Sequence, residues 1–241
     1  MPTATFRVRR FDPALDVGRP PRFDEFAVPY DGSLTVLEAL FSIQEQQDGS
    51  LAFRYCCRAA VCGSCAMYID HRYRLACQTN LRHLHGRVIT VEPMPHLPLV
   101  KDLVCDMDAF FAKYEAVKPW LIRVSEPLER EIEQTPAGRK RLDMPIDCIL
   151  CGACYSSCPS VWTEAHYLGP AALLKAYRFE VDSRDEARRE RLPAWANERG
   201  VYRCHTITNC SEACPKELDP TEAIQWLKRA AVRRRLFGMR K

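Results

Sequence analysis

The sequence predicts an α+β chain in two parts: residues 1–105, a small domain with a mixed sheet folded across one helix, and residues 106–241, an all-helical domain. Three observations predict it. Period-two alternation of apolar residues is confined to the first hundred positions, and amphipathic helical spacing takes over after about Asp102. The cysteines fall in one loop of the first part and in two similar runs in the second.

TATFRVRRF, from Thr3, sets Phe6 and Val8 on one side of a strand, and FDEFAVPY is its expected hairpin partner. TVLEALFSIQEQQ places Val36, Leu37, Leu40, Phe41 and Gln44 at helical spacing, and Thr35 with Glu38 forms a capping box. A cysteine-bearing loop follows, then RVITVEP, a β-branched strand ended by Pro93. In the second part DLVCDMDAFFAKYEAV, PAALLKAYRFEVDS and DPTEAIQWLKRAAVRRR are amphipathic helices. The last opens with Asp219 as N-cap, Pro220 at the first helical position and Glu222 at the third. Arg123 to Pro145 is polar, contains three prolines and reads as a connector.

A chain of 241 residues that is 47% hydrophobic can bury two ordinary cores. Its 13 cysteines are odd in number, and MPTATFRVRRFD has no apolar run of the secretory kind, so reduced thiols holding metal are expected rather than a disulfide framework. No stretch approaches the roughly 18 apolar residues of a membrane span, so the chain is expected to be soluble. Formal charge is +4, yet the last fourteen residues, KRAAVRRRLFGMRK, hold seven Lys or Arg and no acid. That tail reads either as a solvated helix end or as a contact for an anionic membrane surface or acidic partner. No nucleic-acid partner is expected.

In YCCRAAVCGSC, followed by RLACQT, the residues Cys57, Cys62, Cys65 and Cys77 have the C-x4-C-x2-C spacing with a distant fourth thiol that holds a [2Fe–2S] cluster. Gly63 and the small Ser64 let the loop wrap closely, so that backbone N–H groups can point at sulfur. Cys56 breaks the spacing and reads as a bystander. Thiolates also bind Zn²⁺ tetrahedrally. The unequal gaps and the lone distant thiol favour iron–sulfur over that rival.

CILCGACYSSCP, residues 148–159, has the spacing C-x2-C-x2-C-x3-C-P, and CHTITNCSEACP, residues 204–215, repeats it with Ile207 in place of the second cysteine. In runs of this type the fourth cysteine ligates the other cluster. Cys148, Cys151 and Cys154 then combine with Cys214 as four ligands for a [4Fe–4S] cluster. Cys158, Cys204 and Cys210 supply only three. Isoleucine cannot coordinate iron, so a [3Fe–4S] cluster is the expected occupant; the alternative is a cube completed by water or another ligand. Cys105, on a predicted helix, reads as a small buried hydrophobe.

At these residues the sequence resembles the iron–sulfur subunit of succinate dehydrogenase and fumarate reductase, the succinate:quinone oxidoreductases. The likeness extends over the VCGSC loop and LAC, the KPW segment, YLGPAALL, AYRF and DSRD, and the CPK that closes the last run. It implies a plant-type ferredoxin-like (β-grasp) domain followed by a bacterial-ferredoxin-like helical domain. It further implies a flavoprotein partner bearing FAD where succinate is oxidised, relay through the three clusters, and a quinone at the interface with membrane anchor subunits, which can carry haem. The chain would be a peripheral membrane protein on the cytoplasmic face.

The family also implies a quinone pocket beside the three-iron cluster, to which Pro159, Ser160, Trp162, Thr163, His205 and Ile207 correspond. Trp162 can donate from its indole and His205 can carry a proton. Thr163 stands where succinate dehydrogenases have a second tryptophan. Ala59 and Ala60 are closer to the fumarate-reductase branch, whereas RCHTITNC is closer to the succinate-dehydrogenase branch. The same wire run in reverse, from quinol to fumarate, is therefore the alternative reading. Others are a subunit serving a thiol or heterodisulfide partner and a zinc scaffold without redox activity.

Overall fold

The computed structural model describes residues 3–30, 32–84, 86, 88–126 and 129–238. The last three residues of the basic tail and Arg87 of the RVITVEP strand therefore lie outside the described residues. Contacts divide the chain into two compact units, Met1–Met107 with Ile149–Ser156, and Asp108–Cys148 with Ser157–Lys241.

In the first unit β1 (Thr3–Arg10) pairs antiparallel with β2 (Arg22–Pro29), burying Phe6 and Val8 on one face. The helix α1 (Val36–Gln46) starts at Thr35, whose hydroxyl accepts from the Glu38 N–H while the Glu38 carboxylate accepts from the Thr35 N–H. It buries Val36, Leu37, Ala39, Leu40 and Ile43 against the sheet. After the cysteine loop come β3 (Ala66–Ile69) and β4 (Arg72–Leu75), an antiparallel hairpin that the apolar pattern does not predict. Its two turn residues, Asp70 and His71, both have positive φ, as a type I′ turn requires. β5 (Val88–Glu92) runs parallel to β1 and completes a mixed sheet of order β2-β1-β5-β3-β4. Leu, Ile, Val and Phe side chains from both layers fill the core, each contributing on the order of 1.5–3 kcal/mol of burial.

The segment from Asp102 departs from expectation. Leu99–Lys101 (β6) and Val104–Cys105 (β7) form a small hairpin, and α2 begins only at Asp108 and runs to Ala116. Cys105 therefore lies on a strand, where it is buried as expected and its thiol faces the Met94 carbonyl at 3.7 Å. The reason is Asp102. Its φ of 44° makes the hairpin turn, and its buried carboxylate accepts from Arg10 Nε at 3.0 Å, the Phe11 N–H at 3.0 Å and the Ala52 N–H at 2.8 Å. Three bonds hold the residue out of helical conformation.

The second unit is helical. After α2, the polar connector contains, among the described residues, only the short helices α3 (Pro136–Lys140) and α4 (Asp143–Ile146). α5 (Ala153–Ser156) belongs to the first unit, since Ile149 and Cys151 pack on its core. Then come α6 (Pro159–Thr163), α7 (Gly169–Val181), α8 (Arg188–Trp195), α9 (Asn209–Glu212) and α10 (Pro220–Phe237). α10 opens as the sequence predicts, with the Asp219 carboxylate accepting from the Glu222 N–H at 3.0 Å. It packs along α7, whose buried Glu180 takes Arg234 at 2.5 Å and the Trp195 indole N–H at 3.2 Å. Arg234 is thereby committed to the interior of this unit, while Arg233 and Arg235 are exposed.

Candidate metal centres

The first thiol loop follows α1 and ends at the β3–β4 hairpin. It folds so that main-chain N–H groups face sulfur: Ala59, Val61 and Cys62 donate to Cys57 Sγ at 3.3–3.4 Å, Ala60 to Cys77 Sγ at 3.3 Å, and Cys57 to Cys62 Sγ at 3.5 Å. Such donors stabilise thiolates and the sulfurs of a bound cluster. Arg58 and Ala60 adopt positive φ to achieve this, and the Arg58 guanidinium stacks 4.8 Å from the Phe41 ring. Burial works to raise the Cys62 thiol, but hydrogen bonds from Ser64 and the Cys57 N–H outweigh it and bring it down to about 6. Cys65 is pushed up to about 12 by burial and by the neighbouring Cys77 and Cys62 thiolates. Cys57, Cys62 and Cys65 thus share one loop, and Cys77, just past β4, is joined to it through the Ala60 N–H, whereas Cys56 is exposed. Gly63 has φ +73°, and a Cβ there would lie 2.8 Å from the Ile149 carbonyl oxygen and 2.9 Å from Cys151 Cα.

Of the next four candidates, Cys148 and Cys214 pack against the same small cluster of Leu174, Leu218 and Ala223 in the second unit. Lys175, on α7, donates to the carbonyls of Pro145 at 2.9 Å and Cys148 at 3.3 Å and so fixes the entry to the run. Cys151 packs on the core of the first unit, and Cys154 lies in α5 of that unit.

The last three thiols lie in the second unit and line one open cavity of about 320 Å³. Cys158 is the N-cap of α6, and the N–H groups of Ser160 and Val161 face its sulfur; burial nonetheless pushes this thiol up. Cys204 Sγ accepts from the Thr206 N–H at 3.4 Å. Cys210 is buried, which raises its thiol, and lies 3.3 Å from Thr221 Oγ1. Between Cys204 and Cys210 the chain is contorted: Thr206 and Thr208 have φ of 59° and 72°, uncommon for β-branched residues, and Ile207 stands between them. Two side chains of α10 hold this loop, Lys228 donating to the Cys204 carbonyl at 2.6 Å and Gln225 to Thr206 Oγ1 at 2.7 Å.

Four of the six quinone-pocket candidates, Pro159, Ser160, His205 and Ile207, line this same cavity. Ser160 is buried, His205 is exposed, and Ile207 is 48% exposed at the rim. Trp162 and Thr163 are not part of the lining. Trp162 is 42% exposed, and the Thr163 hydroxyl donates to the Pro159 carbonyl at 3.1 Å and accepts from Arg203 at 3.3 Å. Sequence reasoning missed Tyr167. It is fully buried against the cavity, and burial, together with the charges of the Cys204, Cys158 and Cys210 sulfurs, pushes its phenol well above the ordinary tyrosine range. Tyr167 opens the YLGPAALL stretch, but nothing local in that stretch ties it to the thiols.

These residues fit a sulfur-bridged cluster. Three thiols surround one cavity, main-chain donors face two of them, and the buried Tyr167 hydroxyl on the wall completes no hydrogen bond of good geometry. Among the described residues, no three His, Cys, Asp or Glu side chains converge tightly enough to share a single ion. Among those residues, too, no helix is long and apolar enough to cross a membrane.

Comparison with known proteins finds two cluster-domain matches. A model described as a 2Fe-2S iron-sulfur cluster binding domain matches residues 5–112, and one described as a 4Fe-4S dicluster domain matches residues 140–215. The succinate dehydrogenase iron-sulfur subunit of Paracoccus denitrificans is 44% identical over 95% of this chain and 88% of its own length. A mitochondrial succinate dehydrogenase [ubiquinone] iron-sulfur subunit of Oryza sativa subsp. japonica is 45% identical over 94% and 82%, and that of Candida glabrata 40% identical over 93% and 90%. A chain of the Mycobacterium smegmatis Sdh1 complex in the apo form shares the fold, with a TM-score of 0.83 at 24% identity, covering 99% of both chains. With identity at this level sustained along nearly the whole sequence, and both cluster-domain models matched in the expected order, the chain belongs to the iron–sulfur subunits of succinate dehydrogenase.

Proposed function

We propose that this chain conducts electrons from a succinate-oxidising flavoprotein to a membrane quinone, with succinate chemistry confined to the FAD-bearing partner. Clusters in such a subunit supply one-electron carriers whose potentials span roughly −700 to +450 mV across the class. Cys57, Cys62, Cys65 and Cys77 would hold [2Fe–2S]; Cys148, Cys151, Cys154 and Cys214 would hold [4Fe–4S]; and Cys158, Cys204 and Cys210 would hold [3Fe–4S]. The protein sets each potential through the hydrogen bonds and burial it offers sulfur. Here Ala59, Ala60, Val61 and Cys62 act in the first loop, and Ser160, Val161 and Thr206 at the last site. Ser160 and His205 line the last cavity, where His205 can move the proton that quinone reduction requires. The chain would sit at the cytoplasmic face of the membrane, held by anchor subunits.

The observation that carries this reading is the three-thiol cavity with Ile207 on its wall. Oxidised protein is expected to show a near-isotropic [3Fe–4S] EPR signal, and dithionite to bring up a reduced [2Fe–2S] signal. Ile207→Cys supplies a fourth thiol and should convert the three-iron signal towards a four-iron one. A folded Ile207→Cys protein with unchanged EPR would refute the assignment of that vertex, and zinc in place of iron would refute the relay.

A further inference from the structure

We infer that Tyr167 donates a hydrogen bond from its phenol to sulfur at the three-iron centre and thereby holds that centre at a higher reduction potential. The inference deepens the reading above and rests on Cys158, Cys204 and Cys210 being the ligands of that centre.

Tyr167 has no exposed surface, and it lines the cavity that these three thiols share. Its oxygen completes no hydrogen bond of good geometry, and the side chain it faces most nearly as a partner is that of Cys204. Among the described residues, every other buried side-chain nitrogen or oxygen in that condition belongs to an arginine, so this is the one hydroxyl left unanswered. A buried phenol normally finds a partner, because desolvating an unsatisfied O–H is unfavourable. The backbone leaves it little freedom to seek one elsewhere. Its N–H donates to the Glu164 carbonyl at 3.1 Å, and the next residue's N–H donates to Arg199 at 2.8 Å. The hydroxyl is therefore held against the cavity that Cys158, Cys204 and Cys210 line, in company with polar side chains such as Ser160 and Thr221 that leave it unpaired.

A phenol is protonated at neutral pH, and so it is a donor. One-electron reduction adds negative charge to an iron–sulfur centre, and a hydrogen bond to its sulfur stabilises the reduced form more than the oxidised one. Removing the donor must lower the potential. Tyr167→Phe removes only the oxygen and keeps the ring that fills this part of the core.

The test uses the purified complex. Potentiometric titration monitored by EPR is expected to give a lower midpoint for the three-iron signal in Tyr167→Phe, while the [2Fe–2S] and [4Fe–4S] midpoints stay where they are. ENDOR of the oxidised wild-type centre should show, beside the exchangeable couplings of the Ser160, Val161 and Thr206 N–H groups, one further coupling that disappears in D₂O and is the one missing from Tyr167→Phe. A normal three-iron signal whose midpoint and proton coupling are untouched by Tyr167→Phe overturns the inference alone and leaves the cluster reading standing. A wild-type complex without any three-iron signal overturns the ligand assignment and the inference together.

Discussion

Gly63→Ala is the sharpest structural test of the first cluster loop. An added Cβ would lie 2.8 Å from the Ile149 carbonyl oxygen and 2.9 Å from Cys151 Cα and Cβ, all well inside ordinary contact distance. Two of those atoms are backbone, so no rotamer change relieves the overlap. Placing an L-residue at φ +73° adds about 1–2 kcal/mol, and overpacking of this kind adds about 1–3 kcal/mol. The expected loss is therefore about 2–5 kcal/mol, a large share of the stability of a domain this size. At about 4–8 °C per kcal/mol, the thermal midpoint should fall by more than 8 °C. Melting followed by visible circular dichroism, with EPR of the reduced [2Fe–2S] centre, measures both stability and loop geometry. Gly63→Asn separates the two contributions, since asparagine tolerates the left-handed region but meets the same overlap. An alanine variant with the parent melting point and an unaltered signal would refute the reasoning.

Other predictions concern groups whose partners are equally defined. Asp102→Ala leaves buried Arg10 without one of its carboxylates and strands the Phe11 and Ala52 N–H groups; a loss of about 3–5 kcal/mol is expected in urea unfolding, and a change under 1 kcal/mol would contradict it. Lys228→Met removes the bond to the Cys204 carbonyl, worth about 1.5–3 kcal/mol, and should speed loss of the three-iron signal under chelator; equal rates would show that the loop holds itself. Arg233→Glu with Arg235→Glu should weaken co-purification with the membrane subunits, most at low salt and less as salt rises, and unchanged recovery would mean that those charges are only solvated. Arg234 is left out because it already pairs with Glu180, and an acid there would destabilise the unit for an unrelated reason.

Much of the architecture was legible because the period of its apolar residues was clean. Phe6 and Val8 announced β1, the Thr35/Glu38 pair announced α1, and Asp219 with Pro220 announced α10. The β3–β4 hairpin was not legible, since its turn uses Asp70 and His71 where a glycine or asparagine would have signalled it. DLVCDMDAFF reads as one helix, but a buried carboxylate with three donors decided its first part, and those donors are distant in sequence. At the site, cysteine spacing carried the grouping because ligand spacing is local chemistry. Four of the quinone candidates share the three-thiol cavity, whereas Trp162 and Thr163 are not among its lining residues. Tyr167 was invisible for the opposite reason: only the folded chain brings its hydroxyl to the sulfurs.

The left-handed threonines on either side of Ile207 have one more consequence. Each such position stores on the order of 1–3 kcal/mol and persists only while its surroundings dictate it. Gln225 and Lys228 supply that insistence from the final helix, which serves as a jig for a loop some twenty residues earlier in the chain. A polypeptide cut before Gln225 would keep every thiol named as a ligand and yet lose the template on which two of them, Cys204 and Cys210, are arranged.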